Sequence, residues 1–295
     1  MVFNAPPKMD WDQILAHFLL GLKISPKLSL KNRPLTSFAD YNPTDMQTTL
    51  SNLKVVFFDF GSTLIYTKDP WPPIYEQADR ALVDVLLKAG IPIDMRAFSS
   101  EFETFLDNYY AERGSSIIER TTSSVLSEIL AANGFPSIPG STVRAALDAM
   151  YAVTQQNWYL EEDAIPTLEA LRERGLRLGM ISNTSDDENV QQLLDRWELR
   201  RYFENIITSA GCGIRKPDER IYRLALNMFN VPPEQTAMIG DTPDADILGA
   251  NRMGIKSIWI TRRAAGLDPS PAKPDAIVST LSEIPSILTS IPSSR

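Results

Sequence analysis

The chain has 295 residues, 43% of them hydrophobic, enough for one large or two modest domains. With 29 basic against 37 acidic residues its formal net charge is −8, which excludes a general affinity for nucleic acid through phosphate neutralisation but leaves room for a local basic pocket that takes a small anion. The lone cysteine, Cys212, excludes an intrachain disulfide framework, and the lone histidine, His17, outside every motif below, leaves a histidine base or a cluster of histidine metal ligands almost nothing to draw on.

No apolar run reaches ~18 residues, and the first ten residues lack the basic-then-apolar order of a secretory signal. The expectation is a soluble cytoplasmic protein with no membrane partner. Residues 1–50 stand apart from the rest. Trp11, Ile14, Leu15, Phe18, Leu19 and Leu22 recur at helical spacing, and Pro26, Pro34 and Pro43 then break the chain into irregular pieces. Within it, residues 1–45 are expected to be dispensable, with Met46 as an alternative start.

From Leu53 the pattern becomes regular. Leu53 to Phe58 is a short apolar run of the kind a buried parallel strand requires. Leu176 to Ile181, Thr236 to Ile239 and Ile255 to Ile260 repeat it, and Asn205 to Thr208 is a weaker instance. Helical patterns alternate with these runs at Ile165 to Arg174, Asp187 to Trp197, Glu219 to Phe229 and Ala245 to Met253. Gly175 and Gly254 fall where helices should end. Alternation of this kind predicts an α/β fold with a doubly wound parallel sheet, formed by residues 51–65 and 160–295.

One connection breaks the rhythm. Residues 66–159 carry no clear strand, far more chain than a βαβ crossover needs. They show four amphipathic stripes instead: Ala78, Ala81, Leu82, Val85 and Leu86; Phe98, Phe102, Phe105, Leu106 and Tyr109; Val125, Leu126, Ile129 and Leu130; and Val143, Ala146, Leu147 and Met150. Four such helices can bury their stripes against one another, so a helical cap inserted after the first strand is expected.

In a doubly wound sheet, ligands bind beyond the carboxyl ends of the strands. Asp59 follows the first apolar run, Ser182 and Asn183 follow the second, and Asp241 follows Thr236 to Ile239, with Asp246 five residues later. The segment after Asn205 to Thr208 holds Lys216. Taken singly, each has an ordinary reading as a helix cap, a turn or a solvated lysine. Their repeated placement at strand ends argues for chemistry. Asp59 can act as a nucleophile. Mg²⁺, a hard cation that prefers oxygen ligands, can sit between Asp59, Asp241 and a backbone carbonyl. Ser182, the amides near Asn183, and Lys216 can hold phosphate oxygens.

The motifs Val55-Val56-Phe57-Phe58-Asp59-Phe60-Gly61-Ser62-Thr63, Ile181-Ser182-Asn183, Arg215-Lys216-Pro217-Asp218 and Gly240-Asp241-Thr242-Pro243-Asp244-Ala245-Asp246 occur in that order. Together they resemble the four motifs of the haloacid dehalogenase superfamily, of the phosphoglycolate-phosphatase-like kind with a helical cap after the first motif. The resemblance runs from about Leu53 to Leu288. It implies a Rossmann-like core, Asp59 as nucleophile and Lys216 beside it as a catalytic group. It also implies Mg²⁺ on Asp59, Asp241 and the carbonyl of Gly61 with Asp246 in support, and phosphate held by Thr63, Ser182, Asn183 and Lys216. The substrate class implied is a small phosphorylated metabolite, cleaved through an aspartyl phosphate.

One position departs from that pattern. The family's phosphatases carry a second Asp two residues after the nucleophile, and here Gly61 stands there, followed by Ser62 where Gly is usual. Help from a positioned acid–base group contributes about 10²–10⁴-fold to a rate. Lys68, Asp69 and Glu76 follow closely as candidate substitutes. Two alternatives to a phosphatase accommodate the gap. A hydrolase of the same family acting on a carbon–halogen bond needs no proton for its leaving group. A catalytically weak phosphate-binding or regulatory protein needs no acid at all.

Overall fold

The computed structural model describes residues 52–95, 98–102, 104, 117–263 and 267–288. The extension of residues 1–50, with its apolar stripe, His17 and Met46, lies outside these, as does the part of the second stripe formed by Phe105, Leu106 and Tyr109.

The chain divides into two compact units. The described parts of Lys68–Ser116, with Thr121–Asn157, form one. The described parts of Ser25–Thr67, with Ile117–Arg120 and Trp158–Arg295, form the other.

The second unit holds the sheet. Strand β1 (Val55–Phe58) leads to a short β2 (Ile65–Thr67), which pairs antiparallel with β3 (Trp158–Leu160), Tyr66 opposite Tyr159. The intervening segment therefore leaves from and returns to adjacent strands. After it come β4 (Arg177–Ser182), β5 (Asn205–Thr208), β6 (Thr236–Gly240), β7 (Lys256–Ile260) and β8 (Ala276–Val278). Six strands form one parallel sheet in the order β5-β4-β1-β6-β7-β8. This is the doubly wound α/β architecture expected, and the strand order reverses at β1, where such sheets open a crevice for ligands. All four residues of β1 are buried, which explains a continuous apolar run rather than an alternating one.

In the first unit, helices α1 (Trp71–Lys88), α2 (Thr122–Ala132) and α3 (Gly140–Thr154) bury the first, third and fourth stripes. Thr121 caps α2 by accepting from the N–H of Ser124 at 3.2 Å, and the Tyr151 hydroxyl of α3 donates to Thr122 Oγ1 at 2.9 Å. Phe98 and Phe102 are buried and stacked with ring centroids 5.6 Å apart.

Around the sheet lie α4 (Ala164–Glu173), α5 (Asp187–Arg196), the single turn α6 (Ser209–Cys212), α7 (Glu219–Phe229), α8 (Leu248–Met253) and the short α9 (Ile284–Ile287). Helix α7 shows why these pack. Ile221, Tyr222, Ala225, Leu226 and Phe229 make one apolar face, which joins Val55, Phe57, Ile181, Ile207 and Met238 of the strands in a single cluster. Asp218 caps its start, accepting from Arg220 N at 2.8 Å, and Asn230 ends it at φ 50°. The expected helix from Ala245 to Met253 begins differently, as a π-helical turn, Pro243–Ile247, that runs into α8. Wide turns of this type recur at functional sites. Strands β2, β3 and β8, three residues each, were not expected, since so short a segment carries no readable period. Among the described residues no helix is long and apolar enough to cross a membrane.

Gly179 sits mid-strand in β4, where an added Cβ would lie 2.8 Å from the Phe57 ring and 2.9 Å from that of Phe229. Those rings meet edge to face at 5.3 Å in the core. Gly179→Ala should therefore lower stability by about 1–3 kcal/mol through overpacking. Urea unfolding should report it as a lower midpoint with an unchanged slope.

Candidate active site

Four loops meet at the carboxyl edge of the sheet. Asp59 leaves β1 with its N–H bonded to Ile239 O at 2.8 Å, so its position is tied to the end of β6. Asp241 follows β6, and Asp246 lies in the π-helical turn. The three carboxylates are buried, and one oxygen from each lies within 4.8 Å of the others. Lys216 reaches into the same place. Its Nζ donates to Asp59 Oδ1 at 2.7 Å, to Asp246 Oδ1 at 2.6 Å and to the carbonyl of Ile181 at 2.6 Å. All three ammonium protons are used.

Burial works against the Lys216 charge, but Asp246 and Asp59 outweigh it and hold the ammonium above its usual pKa. Asp241 has no such partner. Burial, then the charges of Asp59 and Asp246, push its carboxyl well above the normal range, and Lys216 offsets this only in part. Burial also pushes Asp246 up to about 6 despite its bond to Lys216. The cluster carries more negative charge than one ammonium balances, and the excess falls on Asp241. Its carboxylate has a weak side-chain contact, Thr242 Oγ1 at 3.4 Å.

Supporting groups hold this geometry. Asn183 grips the backbone of Lys216 on both sides: its Oδ1 accepts from Lys216 N at 2.8 Å and its Nδ2 donates to Lys216 O at 2.9 Å. Asp246 accepts from Thr242 N at 3.0 Å through Oδ2, so both of its oxygens are engaged. Gly240 makes room for it, since a Cβ there would overlap the Asp246 carboxyl group. The Tyr222 hydroxyl donates to Ala245 O at 2.7 Å, and Trp259 Nε1 donates to Asp241 O at 2.9 Å. No local pattern marks Tyr222 or Trp259, because both act on distant backbone.

Ser182 closes β4 and is buried, as is Thr63, whose hydroxyl meets no partner among the described residues. Gly61 is buried and bridges to Ile65. The left-handed residue of the loop is Ser62, at φ 57°. That is where the family pattern has its glycine. Of the candidate substitutes for the missing acid, Lys68 and Asp69 donate their backbone N–H groups to Asn157 Oδ1, and the Glu76 carboxylate pairs with Arg80 on an exposed turn of α1.

A buried carboxylate at the end of the first strand, facing a buried lysine and two further carboxylates at a topological switch point, defines a class of α/β hydrolase. Residues 53–254 match the haloacid dehalogenase-like hydrolase family, and the chain belongs to it. It is 31% identical over 209 residues to glyceraldehyde 3-phosphate phosphatase of Pyrococcus abyssi, covering 70% of this chain and 81% of that protein. It is 35% identical over 130 residues to phosphoserine phosphatase of Thermus thermophilus, covering 44% of this chain and 51% of that protein. Among solved structures it resembles the 2-haloacid dehalogenase of Pseudomonas syringae, with 25% identity and a TM-score of 0.58 over 80% of this chain and 98% of that one. The protein is an enzyme, a hydrolase of this family.

The electrostatics of Asp241 predict a linkage. A carboxyl whose folded pKa is raised adds stability below its unfolded pKa, and that stability is lost as the pH rises through the folded pKa. In metal-free buffer at pH 7, Asp241→Asn should therefore melt above the wild type. The advantage should vanish as the pH falls below about 3.9, the unfolded value for Asp. Melting scans in EDTA from pH 3 to 7 check this, and a variant that melts lower throughout contradicts it.

Proposed function

We propose that the protein is a Mg²⁺-dependent phosphatase of small phosphorylated metabolites that works through an aspartyl phosphate on Asp59. The observation that carries this reading is the bond from Lys216 Nζ to Asp59 Oδ1, which orients the carboxylate and leaves Oδ2 as the attacking atom. Attack on phosphorus breaks the ester P–O bond, and the leaving oxygen takes a proton from solvent, since Gly61 carries no acid. Water then attacks the acyl phosphate, which releases phosphate and restores Asp59. Ser182 and the unpartnered Thr63 hydroxyl are the donors assigned to phosphate oxygens, together with the backbone amide of Asn183, while Lys216, its three protons committed, contributes positive charge beside them. The Asn183 side chain is committed to Lys216.

The donor set fits a hard dication: oxygen atoms only, net negative charge, and an Asp241 carboxylate whose charge Lys216 offsets only in part. Asp59, Asp241 and the Gly61 carbonyl would hold Mg²⁺, with Asp246 in support through its bonds to Lys216 and Thr242. Bound there, Mg²⁺ would screen the repulsion between carboxylate and phosphate and stabilise charge on the phosphoryl oxygens.

The relatives' names point to three-carbon phosphate monoesters, glyceraldehyde 3-phosphate and phosphoserine. These are the first substrates to test, beside p-nitrophenyl phosphate. Hydrolysis should require Mg²⁺ and fall to background in Asp59→Asn, and Mg²⁺ should stabilise the wild type but not Asp241→Asn in melting scans. An unchanged rate in Asp59→Asn would remove the nucleophile assignment.

Two facts favour a second reading, dehalogenation: Gly61 supplies no acid, and the fold is similar to a 2-haloacid dehalogenase. Halide release from 2-haloacids without Mg²⁺ would select it. Under the phosphatase reading, the missing Asp makes turnover slow and lets the aspartyl phosphate accumulate. Gly61→Asp with Ser62→Gly should speed steady-state hydrolysis, within the ~10²–10⁴-fold range of acid–base help. Ser62→Gly alone should stabilise the fold by about 1 kcal/mol, since it relieves a left-handed serine.

A further inference from the structure

Residues 117–120 lie in the sequence between the helices of the insert, yet they belong to the unit that holds the sheet. They run antiparallel to the stretch that leads into Lys216. Glu119 N donates to Gly213 O at 3.0 Å, Arg215 N donates to Ile117 O at 2.9 Å, and Ile118 bridges Ile214. This pairing carries Glu119 inward, where its side chain is fully buried. The carboxylate pairs with the guanidinium of Arg215 and accepts from Ser209 Oγ at 2.6 Å. Ser209 Oγ in turn accepts from Thr184 N at 2.8 Å.

These bonds close a ring. Glu119 holds the loop after β4 through Ser209 and Thr184, and the lysine-bearing loop through Arg215. Asn183 joins the same two loops at Lys216. We propose that Glu119, which lies in none of the four motifs, is a positioning residue for Lys216. It is a buried carboxylate that keeps the lysine's backbone where the ammonium reaches Asp59. This rests on the phosphatase reading for its consequence in catalysis. A buried ion pair is stable only when both charges are matched and hydrogen bonded. Losing the carboxylate takes this buried anionic partner away from Arg215, one residue from Lys216.

The test separates positioning from bulk stability. Glu119→Gln alone is judged by melting and by kcat for p-nitrophenyl phosphate with Mg²⁺: both should fall, kcat at least tenfold. Glu119→Gln with Arg215→Met removes both charges. Its melting temperature should recover towards the wild type while kcat stays at least tenfold down, and the Kd for inorganic phosphate with Mg²⁺, measured by calorimetry, should rise at least tenfold. Recovery of kcat together with stability in the double variant overturns the proposal, as does an unchanged phosphate affinity. Wild-type protein that binds phosphate but hydrolyses no phosphate ester defeats the phosphatase reading alone, and the phosphate titration then decides the role of Glu119. Wild-type protein that neither hydrolyses nor binds phosphate defeats both.

Discussion

A buried ammonium with three acceptors organises this protein. Lys216 is nearly inaccessible to solvent, and its Nζ bonds to the carboxylates of Asp59 and Asp246 and to the carbonyl of Ile181. Taking an ammonium out of water is costly, and only well-placed opposite charge and complete hydrogen bonding offset it. The three acceptors come from the ends of β1 and β4 and from the turn after β6. The lysine itself comes from the loop beyond β5. The charge therefore ties together the connections on both sides of the sheet's switch point. It also fixes the orientation of Asp59, which a free carboxylate at a strand end would lack.

The same cluster holds a tension between stability and chemistry. Three buried carboxylates share one ammonium, and Asp241 bears the imbalance as a strongly raised pKa. A protein selected for stability alone would place an amide or an apolar residue there. The proposed Mg²⁺ site would account for a carboxylate kept there at the expense of the metal-free fold. Gly240 and the π-helical turn serve the same end: they bring Asp246 back against the strand it follows, where it can face Lys216.

The supporting contacts are mainly side chain to backbone. Asn183 clasps the main chain of Lys216, Trp259 holds the carbonyl of Asp241, and Tyr222 bonds the carbonyls of Ala245 and Asp246. Backbone groups are obligatory hydrogen-bonding partners when buried. Satisfying them with rigid side chains fixes the loops that carry the cluster.

The order of apolar runs and helical stripes determined the parallel sheet. Burial of a strand on both faces demands a continuous run such as Val55 to Phe58, and an amphipathic helix demands a stripe such as Ile221 to Phe229, so both are written in local residue order. Asp59, Ser182, Lys216 and Asp241 were legible for a related reason: chain direction in a parallel sheet puts every strand's end on one edge. What local order could not carry was decided by the tertiary structure. Strands of three residues have no period to read, and the left-handed position in the first loop fell on Ser62. Asn183 turned its side chain to Lys216, a partner 33 residues away. Glu119 met Arg215 across 96 residues of chain. Such pairings depend on which backbones the fold brings side by side, and that choice is made only when the sheet closes and distant segments are buried together.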